Sequence, residues 1–211
     1  MKISLIQPGR NNLKYLKWSY DSIRKNQGEH EVEICVADDA STDGTWDWCL
    51  EMMEKDPLFK AHRNEGPDRL GHTILYDTLT NEVATKDIAM IYHADMYLCP
   101  GALDAIEREI EEGVIVSLTR IEPPLHPDGP EKVLLNCGVE PEEFREQVVF
   151  DTPQTKRSFD KGDVFEYYDC DNKPVNNGGS GPFKHDYSYS RKTEPGFKFQ
   201  VIDVDVLVNE E

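Results

Sequence analysis

The sequence predicts an α/β fold in which a mostly parallel β-sheet carries helices on both faces. Apolar runs typical of buried strands alternate, along residues 1–118, with segments whose apolar residues recur at helical spacing. Polar, acidic turns follow two of these strand-like runs directly. Ligands of open α/β sheets bind beyond the carboxyl ends of the strands, so these turns are the first candidates for a functional site.

Short apolar runs bounded by turn residues indicate the strands. In chain order they are Lys2 to Gln7, Val32 to Ala37, Leu58 to His62, Asp87 to Tyr92 and Val114 to Leu118. The run from Val32 to Ala37 is typical of this class, because Val and Ile alternate and no charge follows until Asp38, apart from Glu33.

Helical spacing of apolar residues indicates four helices between these strands. Their expected spans are Leu13 to Lys25, the segment containing Trp46 to Met53 and closed by Asp56-Pro57, Gly71 to Val83, and a segment opened by Pro100-Gly101 that carries Leu103, Ile106 and Ile110. Asn12 is available as a cap for the first helix, and Gln27-Gly28 ends it.

The pattern changes after Thr119, where prolines and glycines become frequent. Strands are expected at Lys132 to Cys137, Asp163 to Tyr168 and Phe199 to Val208, with a short helix at Glu142 to Gln147. Residues 176–181 are expected to form a flexible connector or a mobile loop. We therefore expect a core at residues 1–118 and a shorter, irregular extension at residues 119–211 within the same domain.

Composition excludes several classes of function. The 211 residues carry a net charge of −18, which argues against a nucleic-acid partner. With 38% hydrophobic and 30% charged residues and no long apolar run, the chain is expected to be soluble, without a membrane span. The 5 scattered cysteines form no C-x-x-C pair, and the first residues lack a signal-peptide pattern, so we expect reduced thiols and a cytoplasmic location.

Acidic residues follow two of the expected strands. Asp38 and Asp39 open the string DDASTDGT after the second strand, and Asp95 follows the strand that ends at Tyr92. Two carboxylates from neighbouring strand ends suit a nucleotide and a divalent cation, because Mg²⁺ and Mn²⁺ take oxygen ligands and bridge diphosphates. The alternative is that they only shape turns and cap helices. Arg69, in the polar loop before the third helix, either contacts phosphate or is a solvated loop charge.

The ordered motifs resemble those of family 2 glycosyltransferases, which have the GT-A fold. Four pieces carry the resemblance across residues 1–118: the start Ile3 to Pro8 with Asn11-Asn12, the string from Asp38 to Thr45, the loop Arg69-Leu70-Gly71, and His93-Ala94-Asp95 at the place of the DxD motif. The resemblance implies transfer of a sugar from a UDP- or GDP-type nucleotide sugar, usually with inversion, to an acceptor hydroxyl. The acceptor, whether saccharide, lipid-linked or protein, stays open.

The resemblance also implies roles for individual residues. Gln7 and Pro8 would lie along the nucleotide, and Asp39, with Asp38 beside it, would hold the base or ribose. Arg69 would lie near the diphosphate. Asp95 would bind Mn²⁺ or Mg²⁺.

Two features depart from the family pattern. His93 replaces the first Asp of DxD, although an imidazole can hydrogen-bond ribose or ligate a metal. No clear Glu-Asp pair of the catalytic-base kind follows, so Asp151, Asp169 and Asp171 are base candidates by residue type alone, and the alternative for each is an exposed acidic loop. His185 is either a second metal ligand, as a C-terminal His is in some GT-A enzymes, or a lone surface histidine. The string Q-x-x-R-W is absent, so a polymer-extruding synthase is not expected.

Three functions are therefore compared. The leading hypothesis is a soluble, metal-dependent glycosyltransferase. The second is a catalytically silent or truncated GT-A domain that only binds a nucleotide or a partner. The third is a sugar-phosphate nucleotidyltransferase, for which the loop Pro8-Gly9-Arg10-Asn11 is a poor match.

Overall fold

The computed structural model describes residues 1–111, 114–118, 120–122, 132–134, 137–151, 165–168 and 198–204. The chain divides into two compact units, Met1–Pro100 and Gly101–Glu211. The boundary expected at residue 118 stays a prediction, and each unit is described by itself.

The first unit alternates strands and helices in the predicted order. Its strands are β1 (Lys2–Gly9), β2 (Glu31–Asp38), β3 (Phe59–Arg63) and β4 (Ile88–Ile91). Its helices are α1 (Leu13–Asn26), α2 (Thr45–Lys55) and α3 (His72–Thr78), which continues as a π-helical segment at Leu79–Val83. All strand pairs are parallel, and the sheet order is β3-β2-β1-β4. The predicted α/β class is thereby confirmed.

Helices cover both faces of this sheet. Gln7 of β1 is fully buried and donates a hydrogen bond from Nε2 to Ser19 Oγ of α1 at 2.9 Å. Its neighbour Ile6 packs instead in a cluster with Leu75 and Leu79. Because successive residues of a strand point to opposite faces, α1 and α3 lie on opposite sides of the sheet.

Strand position explains one difference from the sequence prediction. β1 and β2 lie in the middle of the sheet and are buried almost throughout, as apolar parallel strands require. β4 was expected to be buried too, but half-buried and exposed residues alternate along it, and Ile91 is 36% exposed. Among the described residues no strand pairs with its outer edge, so its apolar sequence lies at a sheet border.

The helix expected at Gly71 to Val83 is α-helical at His72–Thr78 and π-helical at Leu79–Val83. The amide of Ala84 donates to the carbonyl of Leu79 at 2.8 Å, a bond that spans five residues instead of four. This wider turn keeps Leu79 buried while Val83 and Ala84 pack against the same cluster.

The second unit contains shorter elements. They are α4 (Ala102–Glu109), β5 (Val114–Leu118), β6 (Arg120–Glu122), β7 (Lys132–Leu134), a 3-10 turn at Pro141–Glu143, α5 (Glu146–Asp151), β8 (Phe165–Tyr168) and β9 (Lys198–Val204). β5 was expected to extend the parallel sheet, but it pairs with β9, which also pairs antiparallel with β8. β6 and β7 form a parallel pair of their own.

The helix expected at Glu142 to Gln147 is interrupted. Phe144 has an extended backbone, with φ −62° and ψ 128°, and the next amide, that of Arg145, donates to the carbonyl of Cys137 at 2.8 Å. The 3-10 turn therefore stops before α5 begins.

Candidate functional site

The carboxyl ends of β1, β2 and β4 lie at one edge of the parallel sheet. Asp39 follows β2 and the His93-Ala94-Asp95 segment follows β4. The sequence prediction placed these residues after neighbouring strands, but β1 lies between the two. Adjacent strands are about 4.8 Å apart, so the ends of β2 and β4 are separated by roughly 10 Å, a span that suits a nucleotide diphosphate.

The turn after β2 is fixed by hydrogen bonds to its own side chains and to the loop after β1. The amide of Ser41 donates to Asp38 Oδ1 at 3.1 Å, and the amide of Asn11 donates to Ser41 Oγ at 2.9 Å. The amide of Thr42 donates in turn to Asn11 Oδ1 at 2.8 Å. Ala40, with φ 56°, adopts the left-handed conformation between them. Ser41 and Asn11 therefore shape this turn.

Asp43 caps two helices at once. Its Oδ1 accepts from the amide of Thr45 at 3.1 Å and from the hydroxyl of Thr45 at 2.6 Å, where α2 begins. Its Oδ2 accepts from the amide of Leu13 at 3.0 Å, where α1 begins. Asn12, the expected cap of α1, makes no side-chain capping bond. One carboxylate thus sets the positions of both helix starts beside the candidate site.

We expect Asp43→Ala to lower the free energy of unfolding by about 1–2 kcal/mol, since a lost N-cap costs about 1 kcal/mol and two helices lose one here. Chemical denaturation measures the change. Asp43→Asn is the matched control, because its remaining amide oxygen can still cap one helix, and it should lose less. Equal losses in the two variants would contradict the double-cap assignment.

Asp39 is buried and its carboxylate is surrounded by donors from the 64–71 loop (residues 64–71). Oδ1 accepts from Asn64 Nδ2 at 2.7 Å and from the amide of Leu70 at 3.0 Å. Oδ2 accepts from the amide of Gly71 at 3.2 Å and lies 3.9 Å from Arg69 Nε. The residue is 2% exposed. Its hydrogen bonds hold the loop that leads into α3 in place.

These contacts also keep Asp39 ionised. Burial alone would raise the pKa of its carboxyl group, but the hydrogen bonds from the loop and the charge of Arg69 outweigh burial. The pKa of Asp39 therefore lies below its ordinary value, and its carboxylate is negatively charged at neutral pH.

Arg69 combines an ion pair with high exposure. Its side chain is 63% exposed, and the 3.9 Å separation from Asp39 is that of a loose ion pair. Such a pair contributes little to stability, so the guanidinium is available to a phosphate group.

Three residues expected beside the nucleotide have packing roles. Gln7 lies against α1, so any nucleotide contact would have to come from its backbone. Pro8 is buried in β1. Asp38 is fully buried, holds the turn through Ser41, and its Oδ2 lies 3.6 Å from Arg63 Nε.

The residues at the place of the DxD motif lie in the 93–98 loop (residues 93–98). Hydrogen bonds to Tyr92 and to α1 hold this loop in place. The hydroxyl of Tyr92 donates to the carbonyl of Met96 at 3.1 Å. The amide of Leu98 donates to Ser22 Oγ of α1 at 3.0 Å, and Asn26 Nδ2 donates to the carbonyl of Leu98 at 2.8 Å. His93 is half-buried and Asp95 is exposed on this fixed support.

The two halves of the site meet through two consecutive residues, the last of the 64–71 loop and the first of α3. Gly71 donates to Asp39, and the ring of the next residue, His72, lies 6.5 Å from the ring of His93. Tyr76 completes a cluster, with ring centres 6.2 Å from His72 and 6.4 Å from His93. Asp39 and the His93 segment are therefore linked through Gly71 and His72.

The sequence prediction missed His72 and Asn64 as site residues. His72 and Tyr76 are four residues apart and so share a helix face, which is the signal that was available. Asn64 gave no comparable signal, because its partner Asp39 lies 25 residues away.

The candidate bases and the second metal ligand cannot be located in the same way. Asp169, Asp171 and His185 lie outside the described residues. Asp151 is the last residue of α5, and its backbone alone is described.

Among the described residues, no helix has the length and apolar character needed to cross a membrane. A comparison with curated proteins gave no match. Two solved structures resemble the chain over part of their length. The mannosyltransferase PcManGT from Pyrobaculum calidifontis, in complex with GDP-Man and Mn²⁺, is 25% identical with a TM-score of 0.48. TarS 1-349 from S. aureus, in complex with UDP-GlcNAc, is 21% identical with a TM-score of 0.50.

The matches cover 56% of this chain and 35% of the mannosyltransferase, and 62% of this chain and 38% of TarS. The chain thus spans under two fifths of either structure. The model of glycosyl transferase family 2 matches residues 4–158, which include both the Asp39 turn and the His93-Ala94-Asp95 segment. On the strength of that match, this chain belongs to glycosyl transferase family 2 and has the GT-A fold.

Proposed function

We propose that this chain transfers a sugar from a nucleoside diphosphate sugar to an acceptor hydroxyl, with inversion at the anomeric carbon and with a divalent cation. The observation that carries the proposal is the continuity of the site, in which Gly71 and His72 join the buried Asp39 carboxylate to His93. Membership of glycosyl transferase family 2 supports the class of donor.

The donor nucleotide has a matching set of groups at this edge. Asp39 is a buried, ionised acceptor suited to an N–H of the base or a ribose hydroxyl. Arg69 is an exposed donor in the loop that Asp39 organises, and it suits a diphosphate oxygen. The chain as a whole is acidic, with a net charge of −18, so a diphosphate needs such local positive charge.

The residues after β4 fit a divalent cation. Asp95 offers an exposed carboxylate, and His93, two residues earlier, offers an imidazole on the same 93–98 loop. Carboxylate and diphosphate oxygens suit Mn²⁺ and Mg²⁺, and a bound cation would offset the charge on the leaving diphosphate.

Transfer with inversion is a single displacement. The acceptor oxygen forms a bond to the anomeric carbon while the bond from that carbon to the diphosphate oxygen breaks, and the nucleoside diphosphate leaves with the electron pair. A base takes the proton of the acceptor hydroxyl. Asp151, Asp169 and Asp171 remain the candidates for this base by residue type. Arg69 would remain bound to the leaving nucleoside diphosphate and offset part of its negative charge.

Nucleotide binding that depends on the cation tests the proposal. We expect UDP or GDP to bind about 10- to 100-fold more tightly with Mn²⁺ than with a chelator, because a charge-assisted contact to diphosphate is worth a few kcal/mol. Asp95→Ala should remove this difference in calorimetry. Asp87→Ala is the matched control, since it removes an exposed carboxylate just before β4, at the opposite end of that strand. Equal affinity with and without Mn²⁺ would sink the proposal.

A binding domain without transfer activity is the second candidate. The specific observation in its favour is His93, which stands where the family pattern has an acidic residue. Such a domain would bind nucleotide and release no free sugar or product. Hydrolysis or transfer of a UDP- or GDP-sugar in a nucleotide-release assay separates the two functions.

A further inference from the structure

We infer that the donor site selects uracil over guanine, so that the donor of this chain is a UDP-sugar and not a GDP-sugar. The inference rests on the proposed function, because it names the base that Asp39 binds in that same site. It depends on how many hydrogen bonds each oxygen of the Asp39 carboxylate already accepts.

The two oxygens of Asp39 differ in the acceptor positions that remain free. An ionised carboxylate accepts about two hydrogen bonds at each oxygen and donates none. Oδ1 accepts from Asn64 Nδ2 at 2.7 Å and from the amide of Leu70 at 3.0 Å, so both of its positions are occupied. Oδ2 accepts from the amide of Gly71 at 3.2 Å, and no second donor among the described residues lies within hydrogen-bond distance of it. One acceptor position on Oδ2 is therefore left for a ligand.

The donors that occupy Oδ1 are themselves fixed. Asn64 Nδ2 also donates to the carbonyl of Asp68 at 2.8 Å, and Asn64 Oδ1 accepts from the amide of Gly66 at 2.9 Å. The other donor is the backbone amide of Leu70, which moves only with the loop. A ligand that needed Oδ1 would have to break one of these bonds and leave a loop donor without its acceptor, which costs free energy. Oδ1 is therefore closed to a ligand while the loop keeps this conformation.

The free position on Oδ2 has a cation beside it that can move aside. Arg69 Nε lies 3.9 Å from Oδ2, and the Arg69 side chain is largely exposed. A loose, exposed ion pair contributes little to stability, so a ligand donor can replace Arg69 beside Oδ2 at small cost. The guanidinium then remains free for the diphosphate of the same ligand.

Uracil and guanine differ in the number of donors on their pairing edges. Uracil presents one N–H, at N3, between two carbonyl oxygens. Guanine presents two adjacent donors, N1–H and the N2 amino group, beside one carbonyl oxygen. Two adjacent donors pair with a carboxylate through both of its oxygens, whereas a single N–H needs only one oxygen. Asp39 can therefore satisfy uracil through Oδ2, but the guanine amino group would face the donors at Oδ1.

The burial of Asp39 makes this mismatch costly. Because the residue is buried, the guanine amino group would lose its water there and gain no acceptor in return. Sites that hydrogen-bond a ligand reject an analogue when polar groups are left unpaired. IDP isolates the effect, because its base keeps the two rings and the N1–H of guanine but lacks the amino group. The inference therefore predicts that removing a donor from GDP strengthens binding.

Calorimetry with four nucleotides tests the inference on the unmodified protein. At one fixed Mn²⁺ concentration, we expect UDP to bind at least about 10-fold more tightly than GDP, and IDP about 5- to 50-fold more tightly than GDP. N3-methyl-UDP lacks the only donor of the uracil edge and should bind about 10- to 100-fold more weakly than UDP. GDP binding at least as tightly as IDP, or N3-methyl-UDP binding as tightly as UDP, would overturn the inference.

Asn64→Ala connects the preference to Oδ1. The substitution frees one acceptor position on that oxygen, so GDP should gain on IDP and the ratio of their affinities should approach one. Asn81→Ala is the matched control, because Asn81 is an exposed asparagine of the π-helical segment, and it should leave the ratio unchanged. Comparing two nucleotides within one variant cancels any general weakening of the loop. A ratio in Asn64→Ala equal to the wild-type ratio would also overturn the inference.

These outcomes are separate from those that test the proposed function. Binding of none of the nucleotides, with or without Mn²⁺, would overturn the proposed function and the inference together. Tighter binding of IDP than of GDP supports the inference even where Mn²⁺ has no effect on affinity. GDP binding at least as tight as that of IDP overturns it even where Asp95→Ala abolishes the effect of Mn²⁺.

Discussion

Replacing Asp39 with alanine is expected to weaken UDP or GDP binding by about 10- to 100-fold. A hydrogen bond to a charged group is worth about 1.5–3 kcal/mol, and about 1.4 kcal/mol corresponds to a factor of ten. The variant also leaves the amides of Leu70 and Gly71 without their acceptor and removes one of the two acceptors of Asn64 Nδ2. Calorimetry measures the affinity, and hydrogen exchange of the Leu70 and Gly71 amides measures the loop.

Two further variants separate the roles of this carboxylate. Asp68→Ala removes an exposed carboxylate from the same loop and keeps the backbone carbonyl that accepts from Asn64, so it should leave affinity unchanged. Asn64→Ala removes one loop donor and retains Asp39. If Asn64→Ala weakens nucleotide binding as strongly as Asp39→Ala, the carboxylate acts by positioning the loop. Nucleotide affinity that survives Asp39→Ala would remove the main support for the proposed donor site.

The fold was predictable where local pattern decides the structure. The continuous apolar sequences of β1 and β2 predicted central parallel strands, and both are buried on both faces. β4 is equally apolar, yet it lies at the edge of the described sheet. Sheet position depends on which strands pair, and periodicity within one strand carries no such information.

The sequence predicted where the candidate site residues lie in the fold, but not the hydrogen bonds that they make. The strand-end rule placed Asp39 and Asp95 at one edge, and the structure has both there. The double cap by Asp43 joins residues 30 apart in sequence, and the anchoring of the 64–71 loop joins Asp39 to a residue 25 apart. Such bonds depend on how loops approach one another in three dimensions, so motif spacing could not distinguish a ligand carboxylate from a structural one.

Glu33, a carboxylate within β2, has a purely structural role. Glu33 is 1% exposed, and its two oxygens accept from Ser4 Oγ at 2.6 Å and from the amide and hydroxyl of Thr85 at 2.8 and 2.6 Å. Lys60 Nζ lies 2.7 Å from Oε1. These groups tie the beginning of β2 to β1, to β3 and to the segment before β4, so Glu33 stabilises the sheet end opposite the candidate site.

Glu33→Gln is expected to lower the free energy of unfolding by about 3 kcal/mol at pH 7. Burial alone would raise the pKa of Glu33, but the contacts from Lys60, Ser4 and Thr85 outweigh burial and lower it to about 2 from an ordinary 4.5. A depressed carboxyl pKa contributes stability above the unfolded pKa, and the contribution is lost as the pH falls toward the folded pKa. A difference of that size corresponds to about 3 kcal/mol.

The pH dependence distinguishes a charge effect from a packing effect. Between wild type and Glu33→Gln, the difference in unfolding free energy should fall from about 3 kcal/mol at pH 7 to roughly half of that at pH 3, because the wild-type carboxylate becomes protonated in the unfolded chain first. Glu31→Gln is the matched control, since Glu31 begins the same strand and pairs with Lys2 and Lys86, but its side chain is 37% exposed. It should change stability less than Glu33→Gln at pH 7, because an ion pair that solvent reaches contributes little. A loss in Glu33→Gln that is the same at both pH values would mean that the network acts through shape, and that the Glu33 charge does not hold this end of the sheet.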